Sequence, residues 1–116
     1  MLSFTPISDM FETRESIIIQ VELSGVKKED INIELKGNSI EISGIKRHDG
    51  LTGDENYQRM ERPFGIFKRI FNLPAYIEKN SIEASFNEGI LEITILKNPG
   101  AEKNKTMCIN VKSLQD

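Results

Sequence analysis

Apolar and polar residues alternate along most of this chain. The clearest case is Ala84-Ser85-Phe86-Asn87-Glu88-Gly89-Ile90-Leu91, continued by Glu92-Ile93-Thr94-Ile95-Leu96. Side chains of an extended chain point alternately to opposite sides, so Ile82, Ala84 and Phe86 share one face of a first strand. Leu91, Ile93 and Ile95 share one face of a second. Asn87-Glu88-Gly89 lies between them and supplies the turn, because Asn and Gly tolerate the positive φ of tight hairpins. The segment predicts a half-buried antiparallel hairpin.

The same period recurs upstream. From Ser16 to Ser24, Ile17, Ile19, Val21 and Leu23 occupy one face and Gln20, Glu22 and Ser24 the other. Ile18 breaks the pattern, as either an ordinary surface residue or a second buried contact. Gly25 ends this strand, and Val26 to Asp30 reads as a polar turn or a single helical turn. Ile31, Ile33 and Leu35 alternate with Asn32, Glu34 and Lys36. Gly37-Asn38 turns the chain into a strand carrying Ile40 and Ile42. Gly65 to Leu73 places Phe67, Arg69, Phe71 and Leu73 on one face and is closed by Pro74, and Ala75 to Ser81 is a polar connection. About eight or nine short strands, with turn signals every 8–12 residues and no long helix, predict an all-β fold, an antiparallel immunoglobulin-like sandwich.

Two regions fall outside the alternation. Lys46 to Asn56 is polar and contains two glycines, so it reads as a long loop of the kind that is mobile or functional. Tyr57 to Arg62 reads as a short strand within or just after it, limited by Pro63. The second region, Lys97 to Asp116, begins with Asn98-Pro99-Gly100 and has linker-like composition around an apolar island, Met107-Cys108-Ile109-Asn110-Val111. Ile109 and Val111 are two apart, so in an extended segment they point the same way. They either form a last strand on their own domain or insert into an apolar groove elsewhere.

Composition narrows the function classes. With 116 residues the chain holds one domain and one core. A net charge of −3 supplies no basic footprint and argues against nucleic acid as a partner. No apolar run approaches the roughly 20 residues that cross a bilayer, so no membrane partner is expected. Met1-Leu2-Ser3-Phe4-Thr5-Pro6 lacks the basic start and apolar stretch of a secretory signal. The single Cys108 has no internal disulfide partner, which fits a cytoplasmic location. Cys108 reads as a small apolar filler beside Ile109.

Candidate chemistry is sparse. His48 is the only histidine, sits beside Asp49 in the polar loop and reads as a solvated residue rather than a metal ligand. Gly50-Leu51-Thr52-Gly53 is too short and lacks the Lys-Ser/Thr pair of a phosphate loop. Asp9, Glu12 and Glu15 read as solvent-facing carboxylates. No catalytic residue, metal site or cofactor site is expected. With no Trp and two Tyr, a carbohydrate or enzyme site on a generic sandwich is poorly supplied.

Several of these segments together resemble the small heat-shock proteins of the bacterial and archaeal type. Ala84 with Gly89 and Leu91 resembles that family's A-x-x-x-x-G-x-L signature. Asp9 to Thr13 looks like its first strand. Val21-Glu22-Leu23-Ser24-Gly25-Val26-Lys27-Lys28-Glu29-Asp30-Ile31 resembles E-L-P-G-v-k-k-e-D-I, with Ser24 in place of the usual Pro. Ile40-Glu41-Ile42-Ser43-Gly44 resembles L-x-I-x-G, and residues 61–74, from Glu61-Arg62-Pro63-Phe64-Gly65 to Leu73-Pro74, resemble E-R-x-x-G-x-F-x-R-x-F-x-L-P. Ile109-Asn110-Val111 is similar to the family's C-terminal I-x-I/V anchor.

The resemblance implies an α-crystallin domain at 7–97, a short N-terminal arm at 1–6 and a C-terminal extension at 98–116. It implies an ATP-independent chaperone that holds partly unfolded client proteins and works as a homodimer or larger homo-oligomer. The alternative is a co-chaperone or adaptor of the same fold that docks on a folded partner; it would normally lack the long crossing loop and the I-x-V tail. Ile109 and Val111 would enter a groove of another subunit lined by Ile31, Ile33, Leu35, Ile82, Ala84 and Phe86. Tyr57, Gln58, Arg59, Met60, Glu61 and Arg62 would cross to a partner and pair with Ser8, Asp9, Met10, Phe11, Glu12 and Thr13; otherwise this loop folds back on its own subunit. Arg69 would pair with an acidic group near the dimer interface, or else reach water along the strand. Leu2, Phe4 and Ile7 would contact clients. An arm as short as Met1 to Pro6 implies weaker client binding and smaller assemblies than is usual in the family.

Overall fold

The computed structural model describes residues 2–48, 53–98, 106–109 and 111–113. Met1, residues 49–52 with the Gly50-Leu51-Thr52 part of the rejected phosphate loop, Pro99 to Lys105 and Asn110 lie outside the described residues, as does the Cys108 side chain.

Among the described residues, ten strands form two sheets. They are β1 (Ser3–Phe4), β2 (Ser8–Glu12), β3 (Ser16–Glu22), β4 (Ile31–Lys36), β5 (Ser39–Lys46), β6 (Gly65–Asn72), β7 (Glu83–Asn87), β8 (Ile90–Leu96), β9 (Thr106–Cys108) and β10 (Val111–Ser113). One sheet has the order β1-β6-β5-β4-β9 and the other β10-β7-β8-β3-β2. All neighbours are antiparallel except the two short outer pairs β1–β6 and β10–β7, which are parallel.

Alternation builds the core. In the β3–β8 ladder Ile17 lies opposite Ile95, Ile19 opposite Ile93 and Val21 opposite Leu91, and all six are fully buried. Ile31, Ile33 and Leu35 of β4, Ile40 and Ile42 of β5, and Phe67 and Phe71 of β6 close over them from the other sheet in one continuous cluster. β-branched residues suit this because their stiff side chains stand off a pleated surface with little rotamer entropy left to lose. The fold is therefore the antiparallel sandwich that the pattern predicts. Ile18 lies opposite Phe11 and Thr94 and is half-buried, so its break in the pattern adds apolar cover to the outer face of the second sheet.

Three local readings need correction. The β7–β8 turn is carried by Glu88 and Gly89, with φ of 52° and 79°. Asn87 instead pairs with Ile90 as the last residue of β7. Tyr57 to Arg62 is not a strand within one chain, and all six residues are exposed. The connection Ala75 to Ser81 is not wholly polar in role: Ile77 is fully buried and bridges to Lys97. A lone apolar residue among polar ones carries no period, which is why it escapes a pattern reading.

Candidate functional site

The tail forms the first candidate site. β9 pairs with β4, placing Met107 opposite Leu35, and the Ile109 amide donates to the Ile33 carbonyl at 3.1 Å. Two residues later β10 pairs with β7, placing Val111 opposite Ala84 and Ser113 opposite Phe86. One short segment thus closes the exposed edges of both sheets on the same side of the sandwich. Unpaired strand edges are templates for association, so covering them removes a hazard and releasing them creates one.

Ile109 and Val111 are half-buried and pack on the core cluster. Beside them runs an open cleft of about 680 Å³ with Ile31 and Ile33 at its floor and Lys28, Glu29, Glu34 and Glu41 on its charged rim. Of the six residues expected to line the groove, four meet the tail through the backbone: Ile33 accepts from the Ile109 amide, and Leu35, Ala84 and Phe86 lie opposite Met107, Val111 and Ser113. Ile31 lines the cleft beside Ile109 and Val111, and Ile82 is half-buried against the core. The rim charges gave no sequence signal, because Glu34 and Glu41 sit at ordinary outward positions of β4 and β5, and Lys28 and Glu29 on the single helical turn before β4. In this chain the tail lies on its own domain. The groove and its anchor are complementary, and they meet here within one molecule.

A second candidate site is an edge. β2 ends the second sheet, paired with β3 on one side only. Met10 and Phe11 are exposed on it, and Tyr57 and Met60 are exposed on the 57–62 segment. Asp9, Glu12 and Glu15 are also exposed, and Glu12 pairs with Lys97 at 2.8 Å.

Arg69 lies between Phe67 and Phe71 and is half-buried, with its guanidinium carbon 5.1 Å from the Phe71 ring centre. The expected acidic partner is not found among the described residues. Nη1 donates instead to the Pro6 carbonyl at 2.8 Å. A carbonyl suffices here because it satisfies the donor without bringing in a second ion that would also need desolvation. The expected client residues divide. Leu2 and Ile7 are exposed, whereas Phe4 pairs in register with Phe67 and packs on it with ring centres 5.6 Å apart. Phe4 is thus a sheet residue rather than a free contact. Phe4, Pro6 and Ile7 also line a small apolar pocket of about 350 Å³ with Leu23 and Pro63.

His48 is not a solvated loop residue. Its ring stacks on Phe64 at 3.8 Å, and Nε2 lies 2.9 Å from the Tyr57 hydroxyl. The sequence signal lay in the aromatics on either side, Tyr57 and Phe64, which only the folded chain brings to it. Among the described residues no three His, Cys, Asp or Glu side chains are grouped to hold a metal, and no helix is long and apolar enough to cross a membrane.

Comparison with known proteins gives this arrangement its context. A family model described as "Hsp20/alpha crystallin family" matches residues 9–112. The curated "Small heat shock protein C2" of Rickettsia felis is 38% identical over 107 residues, covering 92% of this chain and 68% of its own length. Among solved structures, Heat shock protein 16.0 from Schizosaccharomyces pombe superposes with a TM-score of 0.77 at 33% identity, covering 88% of this chain and 94% of that one. A small heat-shock protein from Xylella fastidiosa, described as revealing a distinct high order structure, has a TM-score of 0.76 at 26% identity and covers 88% and 94%. The chain spans 61–71% of the length of three curated relatives that it matches.

Proposed function

This chain belongs to the Hsp20/alpha crystallin family, whose members are chaperones rather than enzymes, and from that premise we propose that it is an ATP-independent holdase. It binds partly unfolded proteins through apolar seams and keeps them from aggregating. Its domain occupies 7–97, its arm 1–6 and its anchoring extension 98–116. The observation that carries the reading is the fit of Ile109 and Val111 across the edges of β4 and β7. A segment that leaves this site exposes the Ile31, Ile33 and Ala84 seam, together with two strand edges, to another extended chain.

Magnitudes favour reversible docking. Burying two aliphatic side chains contributes roughly 3–6 kcal/mol, and ordering a tail or bringing two molecules together costs about as much. Eight residues separate Lys97 from Thr106, and fully extended they reach at most ~30 Å, so the same anchor can serve its own groove or a neighbour's. Docking in cis is favoured at low concentration by its effective concentration, and docking in trans by several tails acting together. In the proposed assembly Tyr57 to Arg62 pairs with the free edge of β2 in a partner, which puts Tyr57 and Met60 near Met10 and Phe11. The protein is then a homodimer or larger homo-oligomer. A cytoplasmic location, consistent with its single cysteine, completes the reading.

The test is light scattering from a heat-labile client without ATP, with the intact chain and with an Ile109→Gly/Val111→Gly variant. Suppressed scattering supports the proposal, as does a variant with smaller solution mass or altered suppression. Equal scattering at several-fold molar excess of the intact chain, or a rigid monomer that never exchanges subunits, overturns it.

A further inference from the structure

The free edge of β2 presents a fixed row of backbone groups and a fixed order of side chains. The Glu22 amide donates to the Ile7 carbonyl at 3.0 Å, and the Thr13 amide to the Ser16 carbonyl at 2.8 Å. In the β2–β3 register this turns the N–H and C=O groups of Asp9 and Phe11 toward β3. Those of Ser8, Met10 and Glu12 point the other way, and β2 has no second neighbour among the described residues. Asp9 and Phe11, opposite Gln20 and Ile18, share one face of the strand; Met10 and Glu12 share the other. Asp9 is exposed and has no ion pair among the described residues, whereas Glu12 is held by Lys97 at 2.8 Å.

The 57–62 segment carries the complementary order. If extended, it puts Met60 and Arg62 on one face and Arg59 and Glu61 on the other. Arg59 reaches Glu61 at 3.3 Å. Arg62 meets no carboxylate among the described residues. Its guanidinium carbon lies 5.0 Å from the centre of the Phe64 ring, and the Lys46 Nζ lies 5.3 Å from the same centre, beside the His48 ring that stacks on it. Two like charges over one ring gain nothing from each other. The edge thus holds an unpaired acid two residues before an exposed Phe11, and the segment holds an unpaired base two residues after an exposed Met60.

We propose that a second copy of this chain lays its segment antiparallel on β2 in one register, with Arg62 opposite Asp9, Met60 opposite Phe11 and Arg59 opposite Glu12. This rests on the assembly proposed above, and it names the residues that select the partner. Asp9 and Phe11 then form close pairs with Arg62 and Met60, at positions where no hydrogen bond runs between the two chains. Glu61 and Arg59 exchange backbone bonds with Met10 and Glu12. Lys97, Glu12, Arg59 and Glu61 fall into a row of alternating charge. Pro63, which has no N–H, lies opposite Ser8 and ends the ladder.

Other registers match worse. A slip of one residue sets Asp9 against Glu61 in one direction, and Phe11 against Glu61 in the other. A slip that sets Asp9 against Arg59 and Phe11 against Tyr57 leaves Glu12 and Arg62 without each other's chemistry. A parallel strand that keeps two ion pairs sets Phe11 against Glu61. Exposed ion pairs are individually weak, so they choose the register while the backbone ladder and the Phe11–Met60 contact supply the affinity.

The experiment measures dimer dissociation of the full chain by sedimentation at low salt. Asp9→Lys and Arg62→Glu change exposed residues, so both variants remain folded. Each alone sets like charges at both seams of a reciprocal dimer and should weaken it by about tenfold. An equimolar mixture of the two restores an opposite pair at each seam, so the dimer should return to the parent's strength. Asp9→Lys mixed with Arg59→Glu, the pair that the parallel strand or the longer slip needs, should restore nothing. In a Cys108→Ser background, Phe11→Cys in one chain should cross-link to Met60→Cys in another under oxidised glutathione, and not to Tyr57→Cys. A parent dimer that the first mixture fails to restore, or that Arg59→Glu restores instead, overturns this register and leaves the assembly standing. A parent chain that is monomeric at every concentration overturns both.

Discussion

The Arg69 guanidinium donates a 2.8 Å hydrogen bond to the carbonyl of Pro6 and so ties the middle of β6 to the segment between β1 and β2. This contact spans 63 positions of sequence and holds a charged side chain on a face otherwise made of Phe67, Phe71 and Leu73. Replacing Arg69 by Ala removes the donor and the packing on Phe71. The expected cost is about 2 kcal/mol, the range for hydrogen bonds to charged groups, read as a lower midpoint in urea. The free β2 edge should also loosen, so amide exchange at Met10 and Phe11 should rise. Unchanged stability and exchange would show that the contact contributes nothing.

Lys79 presents the opposite case. It is 7% exposed, and its Nζ is buried with no hydrogen-bond partner among the described residues. An ammonium in that setting destabilises the fold, while its methylene stem packs usefully. Lys79→Met keeps the stem and removes the charge. A gain of about 1 kcal/mol is expected in denaturant titration. A loss would mean that the ammonium is satisfied by water.

The Asp30–Arg47 pair sets an acid dependence. The Arg47 hydrogen bond is the chief cause that lowers the Asp30 pKa, its charge and that of Lys27 add to this, and burial opposes it. The folded-state value is therefore below the unfolded one. The stabilisation is fully present above the unfolded pKa of about 4 and is lost as pH falls through the lower folded value. Asp30→Asn should be less stable than the parent at neutral pH by a constant margin. That margin should narrow below about pH 4. A margin independent of pH down to pH 2 would sink the assignment.

Glu88 occupies a left-handed conformation with φ of 52°, next to Gly89 at 79°. Asn tolerates that region better than Glu, and Asn-Gly is the preferred pair for a two-residue hairpin of this kind. Glu88→Asn should raise stability by about 0.5–1 kcal/mol and the melting temperature by a few degrees. A lower melting temperature would mean that the Glu88 side chain makes a contact worth more than the strain.

How far the fold was legible follows from where its information lies. The β3, β4, β5, β7 and β8 faces could be read because strand alternation is local and each core residue repeats every second position. The hairpin turn was found but begun one residue early, since Asn87 suits a turn better than Glu88 by propensity, yet the ladder keeps Asn87 paired with Ile90. Ile77 and Phe4 were misjudged because each is a single apolar residue whose burial depends on a distant strand. That Ile109 and Val111 lie two apart in an extended tail was legible from spacing, whereas the edges they meet in this chain, at Ile33 and Ala84, depend on how the tail runs back over the sandwich.

Taken alone, the order of residues determined a two-sheet sandwich, its core faces, and a tail with two apolar residues on one side. Each of these rests on side-chain period, which a strand imposes wherever it lies. Only the tertiary structure decided that the tail closes both sheet edges of its own domain, that Arg69 meets a carbonyl rather than a carboxylate, and that Lys46 and Arg62 converge on Phe64 beside His48. Those outcomes depend on which residues, far apart along the chain, come to share a volume, which no local period encodes.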